Sequence, residues 1–266
     1  MKSAHQWFQE GNTLFEQGQF QQADKCFDEV LSLDIKYMDA YRGKFRSLLA
    51  QGKREETIEW CNKAIEIDPS YRYAYNSKGN ALNDLGKYTQ ALEQFEKAIS
   101  LDPEWAFPYN GKGNVLGRMN RYEEAVQCYD KYMSLDPTDP CPLNNKANAL
   151  LELKKYKEAK ECFDKLILIN PKSALFWCNR ARLLALLNEK EEAIQCLIKA
   201  QDIAQYGQIE VDFSPEHMEY IKQSLTILLA AYNKVGEEKE PDNQQTDQFE
   251  ISGADTFDGL KGAQDD

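Results

Sequence analysis

The stretch YNGKGNVLG, residues 109–117, has the composition of a phosphate-binding loop, because it combines three glycines with a lysine and two asparagines. A glycine-rich phosphate loop follows a strand and opens a helix, and it contains either the spacing G-x-G-x-x-G or the ending Gly-Lys-Ser/Thr. This stretch has neither pattern and follows a proline-marked turn. We therefore do not predict a nucleotide or other cofactor site here.

The remaining residues that could perform catalysis are scattered along the chain. The two histidines, His5 and His217, are far apart, and the seven cysteines form no CxxC pair. Cys128, Cys162 and Cys196 are 34 residues apart, and Cys26 precedes Cys128 by three times that distance, so the four cysteines share one position in a repeat. Catalytic triads and zinc sites need such groups close together. We predict a protein that is not an enzyme and binds no metal.

Charge is unevenly distributed over the 266 residues. Residues 236–266 contain two lysines and ten acids, a net charge of −8, while the remainder has 30 basic and 34 acidic residues. A chain without a basic domain is a poor partner for nucleic acid. A run of about 18 apolar residues, which a membrane span needs, is absent, and the N-terminus lacks an apolar signal core. These features predict a cytoplasmic protein, with the nucleus as an alternative.

The strongest signal in the sequence is a recurrence with a period of about 34 residues. Apolar residues with this separation are Leu82, Leu116, Leu150 and Leu184, and also Ala91, Ala125, Ala159 and Ala193. The six repeats are residues 4–37, 38–71, 72–105, 106–139, 140–173 and 174–207. Within each repeat, apolar residues at helical spacing predict two amphipathic helices joined by a turn. The alternation typical of strands is not sustained anywhere.

The repeated positions resemble the tetratricopeptide repeat, whose pattern contains W-x2-L-G-x2-Y, A-x3-F and a final proline. The third repeat supplies Tyr75, Gly79, Leu82, Ala91, Phe95 and Pro103. The resemblance covers residues 4–207. It implies an all-α, right-handed superhelical solenoid of antiparallel helical hairpins, with the first helix of each hairpin on the concave wall. Proteins of this family usually bind a peptide segment of a partner protein there.

Residues beyond the repeats complete the predicted organisation. The solenoid extends over residues 1–235, with a linker at 208–213 and a capping helix at 214–235. Ser214 and Pro215 are typical of a helix start. Residues 236–266 are polar and acidic, so we predict that they form a disordered tail.

Three local departures from the repeat predict details of the helices. Ser3 and Gln6 have the spacing of a capping box at the start of the first helix. Gln205 replaces the proline that ends other repeats, which allows the second helix of the sixth repeat to run longer. Phe45 stands where the family has glycine, and a ring at that close approach should spread the two helices of the second repeat.

Asparagines recur on the predicted exposed side of the first helices. One column is Asn76, Asn110 and Asn144, and the other, four residues later, is Asn80, Asn114 and Asn148. Residues i and i+4 share a helix face, so three repeats each present two amides. An amide has both a donor and an acceptor and can hold the backbone of an extended peptide. Alternatively, duplication copied a harmless pair, or one column bonds a neighbouring helix.

Arginines and apolar side chains accompany these asparagines. The complete predicted peptide-binding groove consists of Arg42, Arg46, Tyr73, Asn76, Asn80, Phe107, Asn110, Asn114, Arg118, Asn144, Asn148 and Arg182. It suits an extended peptide with some acidic and some apolar residues. Core packing between hairpins is the alternative for Tyr73 and Phe107. Gly111 and Gly117 predict that the roomiest part of the wall lies beside Phe107 and Arg118.

A basic column occurs where the family usually has leucine: Lys44, Lys78, Lys112, Lys146 and Arg180. Such a row could attract acidic partners. The preferred interpretation is that the aliphatic stems cover the seam between helices while the charged ends reach water.

Other modes of binding stay open from sequence alone. The protein could be a structural subunit of a multiprotein assembly that contacts partners through its convex face or capping helix. The acidic tail, with Phe249 and Phe257, could contact the groove intramolecularly. A chaperone-linked adaptor is a minor alternative, because the family's carboxylate clamp matches poorly. Its five positions hold Phe8, Asn12, Gly43, Tyr73 and Ser77, and only the asparagine fits.

Overall fold

Helices and their connecting turns form the part of the chain that the computed structural model describes, residues 2–206. They are α1 (Ala4–Glu16), α2 (Phe20–Leu33), α3 (Met38–Ala50), α4 (Arg54–Ile67), α5 (Arg72–Asp84), α6 (Tyr88–Leu101), α7 (Phe107–Arg118), α8 (Tyr122–Leu135), α9 (Cys141–Glu152), α10 (Tyr156–Ile169), α11 (Ala174–Leu186) and α12 (Lys190–Tyr206). The all-α prediction is confirmed for these residues. The predicted linker, capping helix and acidic tail lie outside the described residues.

The helices divide between two compact units. The first unit comprises residues up to Asn120 together with Ser134–Asp136, and the second comprises Arg121–Met133 and the described residues from Pro137 onward. In the first unit, α1, α3 and α5 each pack on the second helix of their own hairpin, and α1, α3, α5 and α7 contact one another in succession. The first helices α9 and α11 of the second unit are also in contact.

The turn inside each hairpin repeats one backbone conformation at the same place of the repeat. The residue has a positive φ in all six hairpins of the described chain, between 57° and 77°. It is glycine in the first three hairpins, at Gly18, Gly52 and Gly86, and Asn120, Lys154 and Asn188 in the others. A residue in this left-handed conformation just after a helix satisfies its last carbonyl groups, and glycine adopts it without steric cost.

Two local predictions about helix ends are confirmed. The Ser3 Oγ accepts a hydrogen bond from the Gln6 backbone N–H at 3.3 Å, and the Ser3 N–H donates to Gln6 Oε1 at 2.8 Å. These reciprocal bonds are the capping box of α1. At the other end, α12 has 17 residues, whereas the second helix α10 of the preceding hairpin has 14. The absence of a proline near Gln205 permits this extension.

Phenylalanine rings on second helices fill space left by pairs of glycines on first helices. A Cβ added to Gly11 would lie 2.8 Å from the buried Phe27 ring, and one added to Gly43 would lie 2.5 Å from it. Gly11 belongs to the same hairpin as Phe27, and Gly43 belongs to the next one. One ring therefore joins two successive hairpins through two close approaches.

The third hairpin repeats this arrangement with Phe95, and it gives Gly111 a structural reason. A Cβ on Gly79 would lie 2.8 Å from the Phe95 ring, and one on Gly111 would lie 2.4 Å from it. The prediction of a roomy wall at Gly111 and Gly117 was wrong. The ring of Phe95 occupies the space beside Gly111, and Gly117 is itself buried.

In the second hairpin, the large residue lies on the first helix and the small residue lies on the second helix, the reverse of the first and third hairpins. Phe45 occupies the first-helix position where Gly11 and Gly79 stand, and Cys61 occupies the second-helix position of Phe27 and Phe95. Both Phe45 and Cys61 are fully buried in one apolar cluster. The helices α3 and α4 also approach each other less closely than α5 and α6 do. A small residue thus accommodates the ring, and the predicted local spreading is observed.

The charged ends of the basic column form pairs between successive hairpins, and among these five cations only Lys44 is fully buried, at 1 % exposure. Each cation contacts an oxygen on the second helix of the preceding hairpin. The pairs are Lys44–Asp28 at 2.8 Å, Lys78–Asn62 at 2.8 Å, Lys112–Glu96 at 2.9 Å, Lys146–Asp130 at 2.5 Å and Arg180–Asp164 at 2.9 Å. The column therefore joins successive hairpins. The sequence indicates this pairing, because the partners recur with the same period of 34 residues: Asp28, Asn62, Glu96, Asp130 and Asp164.

Candidate functional site

The first helices of the first unit present a mixed polar and aromatic surface. We call it the first-helix face, and it consists of Phe15, Arg42, Arg46, Tyr73, Asn76, Asn80, Asn83, Trp105, Phe107, Asn110, Asn114 and Arg118. Nine of these twelve residues belong to the predicted groove, all except Phe15, Asn83 and Trp105. The other three were not predicted.

Two arginines of α3 lie one helical turn apart on this face and stack on aromatic rings. The Arg46 guanidinium lies 4.4 Å from the ring centroid of Phe15 on α1, and that of Arg42 lies 5.2 Å from the ring of Tyr73 on α5. A cation over a ring face is held by the ring's quadrupole. These contacts place α1, α3 and α5 side by side at the surface.

Aromatic side chains continue the face along the starts of α5 and α7. Tyr73 packs against Trp105 with centroids 4.8 Å apart in an edge-on arrangement, and Trp105 lies 6.0 Å from Phe107. Arg72 stacks on both Tyr73 and Trp105 and also pairs with Asp102. The Phe107 side chain is 36 % exposed. The chain of rings shows that Tyr73 and Phe107 both pack within the unit and reach its surface.

Three asparagines follow one stripe of α5 at helical spacing: Asn76, Asn80 and Asn83. All three are half-buried. The Oδ1 atoms of Asn76 and Asn83 are inaccessible to solvent and accept no hydrogen bond from the described residues. Buried acceptors without a partner among the described residues also occur at Ser47, Gln51 and Asn148, so the stripe is defined by the spacing of its three amides and not by these two oxygens. Asn83 was missed, although its spacing of seven residues from Asn76 places it on the same face.

The corresponding residues of α7 complete the face in the first unit. Asn110, Asn114 and Arg118 are half-buried, and each makes contacts with other residues of the chain. Their spacing of four residues places them on one stripe of the helix that begins at Phe107.

Asn144 and Asn148 do not form an exposed part of a ladder, contrary to the prediction. Their side chains are 4 % and 3 % exposed. Asn144 Oδ1 accepts a hydrogen bond from Nδ2 of the equally buried Asn179 on α11, at 2.9 Å. The first asparagine column therefore bonds a neighbouring helix at this repeat, which was the alternative open from sequence. The reason is that Asn179 supplies a donor to Asn144, whereas the residue with the same relation to Asn76 is Gly111, which has no side chain.

Arg182 also lies in the second unit and has a partner within it. Its Nη2 atom lies 3.3 Å from Glu152 Oε1, and its side chain is 14 % exposed. Arg182, Asn144 and Asn148 thus belong to the second unit, whereas the first-helix face belongs to the first.

Burial suppresses thiol chemistry at three cysteines of the described helices. Burial raises the pKa of the Cys141 and Cys178 thiols to about 12, and it raises the pKa of Cys61 further. Thiols with such pKa values stay protonated near neutral pH and are poor nucleophiles and metal ligands. Over residues 2–206, no group of three His, Cys, Asp or Glu side chains is arranged to hold a metal ion. None of the helices in this range is long and apolar enough to cross a membrane.

Solved structures with a similar arrangement of hairpins share the fold at low sequence identity. A chain of the APC/C hetero-tetramer Cut9-Hcn1 has a TM-score of 0.72 and 17 % identity over 85 % of this chain. The present chain spans only 43 % of its length. PilF of Pseudomonas aeruginosa has a TM-score of 0.65 and 19 % identity, covering 83 % of this chain and 97 % of its own. YrrB, described as a TPR protein with an unusual peptide-binding site, has a TM-score of 0.56 and 21 % identity, covering 78 % and 97 %.

The recurrence in the sequence, the paired helices and the stacked hairpins define an α-helical repeat protein. Models of the tetratricopeptide repeat match residues 4–37, 46–71, 73–104, 118–178 and 162–195. The chain therefore belongs to the tetratricopeptide repeat family, as the resemblance indicated. No curated protein sequence matches it.

Proposed function

We propose that this protein is a non-catalytic interaction module that binds an extended peptide segment of a partner protein on the first-helix face. The observation that carries this proposal is the stripe of three half-buried asparagines on α5, Asn76, Asn80 and Asn83, which lies beside the stacked arginines and rings of the same face. The N–H and C=O groups of an extended peptide backbone can pair with the donors and acceptors of such amides. The peptide-binding site described for YrrB supports the same class of function.

Each part of the face has a role in this proposal. The asparagines of α5 hold the peptide backbone, whose N–H and C=O groups are present whatever its sequence. Tyr73, Trp105 and Phe107 offer apolar surface to its side chains, and large aromatic residues dominate the energetics of such contacts. Affinity thus comes from backbone bonds, and selectivity comes from the rings and arginines.

Replacing both Asn76 and Asn83 by Ala tests this function. We expect partner affinity to fall about tenfold or more, because two hydrogen bonds of about 1 kcal/mol each are lost. The folded protein should not be destabilised, since the oxygens have no internal partner and alanine favours a helix more than asparagine does. Partners captured from native lysate and identified by mass spectrometry, with thermal unfolding of each variant, give both measurements.

The matched control is Asn62→Ala on the second helix α4. Asn62 is exposed and accepts a hydrogen bond from Lys78, so this variant removes an asparagine away from the first-helix face. It should retain every partner. Equal recovery of partners by the Asn76/Asn83 double variant and the wild type would contradict the proposed site.

A second candidate function uses a different surface, in the second unit. An open groove of about 720 Å³ is lined by residues of α10, α11 and α12, including Leu168, Trp177 and Lys199. Leu168 is 83 % exposed, and it lines the groove together with the apolar side chains of Ile167 and Trp177. Exposed apolar side chains of this size mark protein contact surfaces when they cluster. The second candidate is therefore a structural subunit held through this groove.

Changing Leu168 to Glu distinguishes this candidate. If the groove holds an assembly, the variant should be recovered without its partners in native size-exclusion chromatography, because a charge cannot be buried there cheaply. Leu186→Glu is the control, since Leu186 is 49 % exposed and does not line the groove. Retention of all partners by Leu168→Glu would exclude the groove.

A further inference from the structure

We propose that Arg42 and Arg46 form a carboxylate-binding subsite, so that the peptide bound by the first-helix face carries acidic side chains next to an aromatic one. The inference rests on the proposed function of that face and names the chemistry of its ligand. It follows from how the positive charges of the first unit are paired.

Most cations of this unit that lie between helices have a carboxylate partner. Arg54 pairs with Asp84, Arg72 pairs with Asp102, and Lys112 pairs with Glu96. Arg46 differs, because no carboxylate oxygen of the described residues lies within 4.0 Å of its guanidinium. Arg46 is therefore a cation without a counter-charge among the described residues, although residues 1–235 contain 34 acidic and 30 basic residues.

Arg42 is only weakly neutralised. Its Nη2 atom lies 3.8 Å from Asp39 Oδ1, and the Asp39 side chain is 62 % exposed. Such an exposed pair contributes little, because water and salt screen it. Arg42 and Arg46 are four residues apart on α3, where like charges repel each other. Two cations therefore lie together, and the described residues supply no well-placed group that relieves their repulsion.

Stacking orients both guanidinium groups for an external ligand. Phe15 supports Arg46 and Tyr73 supports Arg42 through their ring faces. A guanidinium stacked on a ring keeps its N–H groups at the edge, and this planar fork matches the two oxygens of a carboxylate. The aromatic supports also reduce the conformational freedom that binding would remove.

The aromatic part of the ligand would contact the rings that continue from Tyr73. Trp105 and Phe107 follow Tyr73 along the same face, and the indole Nε1 of Trp105 donates no hydrogen bond to the described residues. An aromatic or large apolar side chain beside the acidic ones would therefore meet an apolar surface with one available donor.

Stacked arginines and aromatic rings also suit single-stranded nucleic acid, but the charge favours a peptide. Carboxylates of the same unit lie at Asp39, Asp84 and Asp102. A phosphate at every nucleotide would meet these charges, whereas a peptide can place its few carboxylates at the two arginines only. We therefore assign the subsite to an acidic peptide.

A synthetic peptide with the sequence of residues 246–257, TDQFEISGADTF, is a suitable probe, because it places carboxylates next to two phenylalanines. Its binding is measured by fluorescence anisotropy at low and moderate salt, with the full-length protein carrying Phe249→Ala and Phe257→Ala so that its own copy of the segment does not compete. We expect saturable binding that weakens about tenfold in the Arg42→Gln/Arg46→Gln double variant. A second peptide with Asn and Gln in place of every Asp and Glu should bind the protein with both arginines as weakly as the acidic peptide binds that variant.

The matched control is Lys63→Gln, which removes a cation that stacks on Trp60 at 3.9 Å on the second helix α4. It should leave peptide binding unchanged. Equal binding of the acidic and neutral peptides, no binding at millimolar peptide, or tighter binding of an oligouridine than of the acidic peptide would each overturn the assignment. Loss of captured partners in the Asn76/Asn83 variant but not in the arginine variant would overturn the ligand class and leave the proposed function intact.

Discussion

Replacing Lys44 by Met should lower the free energy of unfolding by about 3 kcal/mol, because it leaves a buried carboxylate without its counter-charge. The Lys44 side chain is 1 % exposed, and its Nζ lies 2.7 Å from Asp24 Oδ1 and 2.8 Å from Asp28 Oδ1. Asp28 is 48 % exposed and regains water, but Asp24 is only 11 % exposed. Methionine fills the volume of the lysine stem, so the cost reports mainly the charge at Asp24, with a smaller part from the lost contact between the Lys44 ammonium and the Trp60 ring at 4.4 Å.

The stability deficit of this variant should depend on pH in a defined direction. Burial raises the pKa of Asp24 even with Lys44 beside it, and removing the ammonium raises that pKa further. An acid whose folded pKa lies above its unfolded pKa is destabilising when ionised, and the penalty disappears as pH falls through the folded value and then the unfolded value. The difference between wild type and Lys44→Met should therefore narrow on acidification, as measured by urea denaturation at several pH values.

Two further variants make this result interpretable. Adding Asp24→Asn to Lys44→Met removes the uncompensated charge and should restore part of the lost stability. Lys78→Met changes the same position of the next repeat, where the lysine bonds the exposed Asn62, and should cost less than about 1 kcal/mol. Equal, pH-independent losses of unfolding free energy in Lys44→Met and Lys78→Met would show that the buried Lys44–Asp24 pair stabilises the fold no more than the exposed Lys78–Asn62 bond.

Changing Gly79 to Phe should destabilise the third hairpin by about 3 kcal/mol or more, because the new side chain overlaps the Phe95 ring. Even a Cβ at this position would lie 2.8 Å from that ring, which is fully buried and cannot move into solvent. The second hairpin contains the reverse combination, Phe45 with Cys61. The double variant Gly79→Phe/Phe95→Cys should therefore recover much of the stability lost in the single variant.

A double-mutant cycle measures this recovery. Phe95→Cys alone should also destabilise, by about 3 kcal/mol, since it leaves a cavity next to Gly79 and Gly111. If a small residue at position 95 makes room for a ring at position 79, the double variant is more stable than the sum of the two single changes predicts. The coupling energy is then above about 1 kcal/mol. Purely additive losses would mean that Phe45 and Cys61 are not a compensated pair. Urea unfolding followed by circular dichroism gives the four values.

The features that could be predicted from sequence are those that depend on neighbouring residues in the chain. The helices follow the recurrence because apolar residues three and four apart form one stripe. The capping box at Ser3 and the extension of α12 past the usual proline position depend on contacts within one helical turn. Register also assigned Asn76 and Asn110 to one face of their helices, but a role for that face in peptide binding stays a prediction.

What the tertiary structure alone decided is the environment of equivalent positions. Asn76 and Asn144 occupy the same place in the repeat, yet Asn76 keeps an unpartnered oxygen while Asn144 is buried against Asn179. Gly111 is required by the ring of Phe95, which belongs to the preceding hairpin. The physical reason is that periodicity within one helix determines which side a residue faces, whereas burial and pairing depend on the volumes and hydrogen-bonding groups that the adjacent helices bring to that side.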